Sequence, residues 1–281
     1  MSALSLARRP WGLSRAGLLW GVVSLAFVLL PGAALWVYHQ VHPFGIDLHH
    51  RLLAPSWQHW LGTDPLGRDT LAYTLVAAVN SLGISVVAMV LALCAGGSAG
   101  LLAAEKGRRT KILTGGVVEL GIAFPPVITA ALLVTLYGAG MGEEVFALAI
   151  FFIPGFIRLS QQAASAILAQ DYIAAARLSA LTPWQIHMRH VLPNMAPGLL
   201  VQFSVNVALA LLAETGLSYL GLGAPPPLPE LGRILASYQV HLFDHPVLVV
   251  VPGVIVVLLV LGINMLGDGL RDLFARQEKT S

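Results

Sequence analysis

Few residues of this 281-residue chain are spaced for covalent chemistry. His187 and His190 form no H-E-x-x-H pattern and have no evident carboxylate partner, so neither reads as part of a metalloprotease-like site. None of the three lysines, Lys106, Lys111 and Lys279, follows a glycine. The G-x-x-x-x-G-K-[ST] loop that cradles phosphates is therefore absent, and energy from ATP would have to come from another chain. What remains is binding chemistry. Glu119, Gln202, Asn206 and Glu214 lie within long apolar runs; a charge at mid-bilayer costs about 2.5–3.5 kcal/mol, so Glu119 and Glu214 are expected to face protein or a water-filled path, and the uncharged Gln202 and Asn206 give that signal more mildly. Asn80 and Asn264 give the same milder signal, and each such residue could equally serve an interhelical hydrogen bond.

The elements that carry these residues follow from composition. Hydrophobic residues make up 57% of the chain and charged residues 11%, against roughly 25% charged in an ordinary soluble domain. A span needs about 20 apolar residues. Six segments qualify: 16–38, 78–104, 112–137, 144–167, 195–222 and 246–267. Continuous apolar runs predict helices rather than the alternating strands of a barrel. Pro31, Pro154 and Pro252 fall inside or at the ends of these runs, where kinks are expected. The first run, 23 residues long behind Arg8, Arg9 and Arg15, exceeds a signal-peptide core and reads as an uncleaved anchor. The single cysteine, Cys94, excludes an intrachain disulfide.

Basic residues set the orientation. With the N-terminus inside, 13 of the 16 Lys and Arg fall on inner segments, and only Arg51, Arg68 and Arg233 fall outside. Both termini are then cytoplasmic, and seven of the nine histidines are external: His39, His42, His49, His50, His59, His241 and His245. Imidazole binds nickel and similar metals. These histidines form no compact ligand set, so no metal site is assigned, with His49, His50, His241 and His245 as weak candidates. The long outer segments are 39–77 and 223–245. Trp57, Trp60 and Tyr73 favour the headgroup level for the first of them, and GTDPLGRD, 62–69, reads as an interfacial tight turn whose Asp69 caps the helix entering the second span.

Between the fourth and fifth spans lies a polar island, DYIAAARLSALTPWQIHMRHVLPN, 171–194. Asp171 is an N-cap candidate for a short Ala-rich helix. Thr182-Pro183-Trp184-Gln185 then has the cap, the first-turn proline and the third-position glutamine of a capping box, and Pro193 is expected to end the second helix. So small a unit needs something to bury Leu178, Leu181, Trp184 and Ile186 against, either the span ends or another protein. With two Arg and no Lys it is too poor in cations to read DNA, and no nucleic acid partner is expected. A connector packed on the spans remains the bland alternative to a docking element for a soluble cytoplasmic protein.

These residues resemble the cytoplasmic coupling motif of binding-protein-dependent ABC import permeases, with the RHVLPN tail typical of the dipeptide, oligopeptide and nickel branch. GTDPLGRD, AETGLSYLGLGAPPP (213–227) and NMLGDGLRD (264–272) are similar to further landmarks of that branch in the same order, and the likeness covers about 16–274. The resemblance implies an all-α membrane protein of the bacterial inner membrane, with six transmembrane helices, a coupling helix and an external interfacial segment. Its expected divisions are a tail 1–15, the first span 16–38, the external segment 39–77, a five-helix core 78–274 with coupling region 168–194, and a tail 275–281. It also implies a second homologous permease, two ATP-binding subunits, an extracytoplasmic binding protein, and ATP with Mg in the partners only. Asp171, Ala175, Ala176, Arg177, Leu181, Pro183, Trp184, Arg189 and His190 are the coupling residues it implies. The cargo would be small peptides or nickel and metal chelates. An ion-coupled secondary transporter is the rival reading, and the internal repeat often seen in that class is not evident here. The family usually has Glu at position 174 and Gly at 180, where this chain has alanines. Ala174 loses a possible capping partner, and Ala180 loses the residue that best tolerates a left-handed turn.

Overall fold

A computed structural model of the chain describes residues 11–105, 114–116, 118, 119, 121 and 126–280. The expected tail as far as residue 10 and the basic cluster Lys106, Arg108, Arg109 and Lys111 lie outside these residues. Among the described residues the chain forms α1 (Trp11–Val41), α2 (Thr70–Glu105), α3 (Pro126–Tyr137), α4 (Met141–Leu168), α5 (Asp171–Leu178), α6 (Pro183–Ile186), α7 (Leu192–Tyr219), α8 (Leu231–Tyr238) and α9 (Pro246–Thr280). They form no strand, only an isolated bridge between Thr63 and Asp69. An apolar run with no water to satisfy its backbone must bond within itself, and helices do so.

Among the described residues four stretches are long and apolar enough to cross a membrane: Gly17–Val41, Thr70–Glu105, Pro183–Tyr219 and Pro246–Phe274. They correspond to the first, second, fifth and sixth expected spans. Of the expected third span, 112–137, residues 112, 113, 117, 120 and 122–125 lie outside the described residues, and α3 is its continuous described part. The expected fourth lies in α4, which carries Glu143, Glu144 and Arg158 and is not among the four. α2 begins eight residues before the expected 78 because its first turns are covered by protein, with Thr70 and Thr74 fully buried.

Three local expectations are corrected. The cap of α5 is Gln170, and Asp171 is its first helical residue with no capping bond. Pro193 does not end a helix. A π-turn, His187–Val191, carries α6 straight into α7, so that Pro193 occupies the first turn of α7, where its missing N–H does least harm. GTDPLGRD is no plain interfacial turn, since Asp64 and Thr63 within it are buried. Other features match the sequence. Asp69 Oδ1 accepts from Ala72 N at 2.8 Å at the start of α2, and the Thr182–Gln185 capping box is closed in both directions. Pro31, Pro154 and Pro252 all lie inside helices.

α2 packs most extensively on α4, α1 on α9, and α9 on α7, with α8 resting against α2, α7 and α9. Helix association in lipid depends on close packing because hydrocarbon is as apolar as leucine. Gly96 and Gly100 meet this need: a Cβ on Gly96 would lie 2.6 Å from Ile153 O on α4. The main core joins Ala77, Ile84, Ala88 and Met89 of α2 to Leu148 and Phe156 of α4 and Leu211 of α7. A second cluster lies under the polar island.

Candidate functional site

The island has one buried face and one bare one. Ile173, Ala176, Ile186 and Val191 pack with Ala164, Met195 and Leu199, and Leu181 is partly buried on the same cluster. The unit therefore rests on the ends of α4 and α7 rather than standing alone. Ala176 is turned into this cluster, whereas Asp171, Ala175, Arg177, Pro183 and Arg189 are exposed. Leu178 is 90% and Trp184 70% exposed, the two most exposed large apolar side chains of the island. His190 is half-buried beside the Tyr172 ring, 6.0 Å between centroids. His187 Nδ1 donates to Pro183 O at 2.7 Å, and its Nε2 stands 3.7 Å from Glu105 Oε2, linking the island to the end of α2. The turn between α5 and α6 is a Schellman motif: Leu181 N donates to Ala176 O and Ala180 N to Arg177 O. It puts Ala180 at φ 55°, the left-handed region where glycine is the relaxed choice.

A cavity of about 320 Å³ opens between α4 and α7. Phe151, Phe152, Arg158 and Gln162 line it from α4, and Gln202 and Asn206 from α7. Gln202 Nε2 donates to Asn206 Oδ1 at 2.9 Å, one turn apart on the same helix. The structure thus brings together two of the four polar residues expected on a path and adds Arg158 and Gln162, which the sequence had not singled out. Spacing on α4 could have found them, because 151, 155, 158 and 162 share one helical face. Glu119 is exposed and does not line this cavity.

Glu214 is elsewhere, fully buried near the end of α7 expected to be outer. It accepts from Ser81 Oγ at 2.8 Å and Thr215 Oγ1 at 3.2 Å. One oxygen from each of Glu144, Glu214 and Glu230 falls within 4.8 Å of the others. Glu230 accepts from Ala224 N at 2.9 Å, Ser218 Oγ at 2.5 Å and Arg233 at 2.8 Å. Glu144 is equally buried, yet neither of its oxygens has a donor. Among the described residues one guanidinium answers three carboxylates, and gathering like charges in a buried place is costly unless they are paired. The cluster ties together α4, α7 and the segment leading into α8.

GTDPLGRD forms a second tie at the same end. Asp64 Oδ1 accepts from Leu66 N and Arg68 N, and its Oδ2 accepts from Arg68 Nε at 2.6 Å and Tyr238 Oη of α8 at 3.0 Å. Gly67, at φ 79°, leaves no room for a Cβ beside Asp47 O. Arg68 also lies 3.8 Å over the Tyr73 ring. Burial opposes the Arg68 charge, but its bonds to Asp64 leave its pKa raised overall. Burial and then the Asp64 charge push the Tyr238 phenol upward. Among the described residues the histidines expected to be external form no group with ligand spacing. His49 N and His50 Nδ1 both engage Asp47, and the hydrogen bond from His50 lowers the Asp47 pKa. His241 and His245 stack edge to face, 6.3 Å between centroids. Among the described residues the grouping with ligand spacing is the buried glutamate cluster, which contains no histidine.

Long apolar helices, a cavity between α4 and α7 that mixes aromatic with polar side chains, a polar island at one end and hydrogen-bonded loops at the other describe an integral membrane protein. Residues 96–279 match the family model described as binding-protein-dependent transport system inner membrane component. The chain is 36% identical over 255 residues to the glutathione transport system permease protein of Pectobacterium atrosepticum, covering 89% of this chain and 84% of that protein. It is 34% identical to the dipeptide transport system permease protein of Alkalihalophilus pseudofirmus, over 79% of this chain and 73% of that one. Its fold is similar to a chain in the inward facing conformations of the MetNI methionine ABC transporter, with a TM-score of 0.59 at 20% identity, over 73% of this chain and 95% of that one. The chain belongs to the binding-protein-dependent inner membrane components, as an ABC importer permease of the dipeptide and oligopeptide branch.

Proposed function

We propose that this chain is one of two permease subunits that together form the membrane path of a peptide importer. Two ATP-binding subunits holding ATP and Mg would drive it, and an extracytoplasmic binding protein would deliver cargo. The full arrangement is six spans with both termini cytoplasmic and the island facing the ATPase. The observation that carries the docking role is the pairing of a satisfied inner face, Ile173, Ala176 and Ile186, with the exposed Leu178 and Trp184 on a capped turn. A connector packed only on the spans would have no use for two large apolar side chains in water. ATP-driven closure of the partners would move α5 and α6 and bias the spans between inward-open and outward-open states.

Peptide cargo is favoured over nickel by two observations. Relatives 34–36% identical carry the names of dipeptide and glutathione permeases. The cavity is lined by a guanidinium and carboxamides with neither imidazole nor carboxylate, a surface that repels a free metal cation. The test of docking is Trp184→Asp in the assembled importer. ATP hydrolysis stimulated by loaded binding protein is expected to fall at least tenfold while the complex still purifies intact. Unchanged stimulation would leave the island a mere connector. Uptake of labelled dipeptides against labelled nickel chelates, with the partner binding protein present, tests the cargo.

A further inference from the structure

Arg158 is the least explained charge in the structure. It sits within α4, 17 residues from its first residue and ten from its last, by count from the helix bounds Met141 and Leu168. At about 1.5 Å per residue both distances place it well inside the helix. A cation at such depth persists only against a partner or a water-filled space. Among the described residues Arg158 makes no ion pair and no side-chain hydrogen bond, and its side chain is exposed into the cavity that it lines. Glu105 faces His187, Glu144 and Glu214 belong to the cluster with Glu230, and Glu119 does not line this cavity.

The surroundings specify what would complete it. Gln162 lies one turn further along the same face, and Gln202 and Asn206 present carboxamides from α7. Phe151 and Phe152 stand about two turns in the other direction. A guanidinium forks onto a carboxylate in a bidentate pair, carboxamides match peptide N–H and C=O groups, and aromatic rings accept apolar side chains. A volume of about 320 Å³ lies at the small end of ligand sites, of order 300–1,000 Å³.

We infer that Arg158 is a subsite for the terminal carboxylate of the passing peptide, with Gln162, Gln202 and Asn206 holding its amides. The inference rests on the peptide reading above and adds a substrate requirement within it: a free carboxylate. One unpaired guanidinium attracts the cargo into the membrane without a second charge to trap it, as conduction demands sites strong enough to enter and weak enough to leave.

The experiment uses the complete importer in proteoliposomes with its binding protein. A free-acid dipeptide and its C-terminal amide are each supplied at concentrations giving equal binding-protein occupancy, and molecules carried per ATP hydrolysed are measured. For the wild type the free acid is expected to be carried at least fivefold more efficiently than the amide. Arg158→Gln removes that preference by lowering free-acid transport at least fivefold relative to amide transport, in a complex that still purifies intact with its ATP-binding subunits. Arg158→Lys retains part of the preference because it keeps the charge and loses the fork. Equal preference in wild type and Arg158→Gln overturns the subsite while leaving the peptide reading in place. Failure of the wild type to carry either peptide, with nickel chelates carried instead, overturns both.

Discussion

Tyr238 shows how one side chain can hold two distant parts of the sequence together. Its Oη donates to Asp64 across 174 positions, while the ring is 1% exposed. A hydrogen bond to a charged acceptor contributes about 1.5–3 kcal/mol, so Tyr238→Phe is expected to destabilise the assembled permease by roughly that amount. The pH dependence has a definite sign. The folded-state pKa is raised, so the contribution is complete below about pH 10, where an unfolded tyrosine ionises, and falls as pH rises toward the folded value. Unfolding of the purified complex followed between pH 8 and 11 should show a steeper alkaline loss for wild type than for Tyr238→Phe. Equal slopes would remove Tyr238 as the cause. Asp64 could be read from sequence as a turn former, but nothing local in GTDPLGRD announces a partner 174 residues away. Glu144 and Glu230 were illegible for a similar reason: each looks like a helix-end acid until α4, α7 and α8 are brought together.

Element by element, legibility tracked how local the cause was. The Thr182 cap, its proline and Gln185 form one motif within four residues, and the structure contains it as the sequence states it. The start of α5 moved by one residue, because Gln170 and Asp171 differ little as entry points and only backbone geometry chooses between them. Pro193 misled because a proline ends a helix only when the lost bond cannot be absorbed, and here the preceding π-turn absorbs it. Ala180 was legible as a departure, and its cost is now visible in its φ of 55°. Ala180→Gly should stabilise the turn by about 0.5–1 kcal/mol, the left-handed penalty of alanine less the greater freedom of glycine in the unfolded chain. Thermal unfolding of the solubilised complex checks it, and a lowered midpoint would refute the strain.

Across the whole molecule, composition alone separated membrane from soluble protein, and the basic-residue asymmetry supplied an orientation that helices without a bilayer do not. A version lacking Cys94 and carrying Ser56→Cys should react with an impermeant thiol reagent in intact cells, whereas one carrying Thr280→Cys should react only after the membrane is opened. The reverse pattern would invert every assignment of inner and outer. The cavity was only half legible, because Gln202 and Asn206 interrupt an apolar run conspicuously whereas Arg158 had passed for one of the inner basic residues that set orientation.

The π-turn has a mechanical consequence. Because it joins α6 to α7 without a break, Pro183–Tyr219 is one rod of 37 residues, about 55 Å long. Trp184 stands at one tip, Gln202 and Asn206 at mid-length, and Glu214 and Ser218 near the other, bonded into the loops at that end. A rod pivoting at its middle moves its two tips in opposite directions. A push on Trp184 would therefore pull at the glutamate cluster, and a load placed on those loops would be felt at Trp184, with the cargo's cavity at the fulcrum.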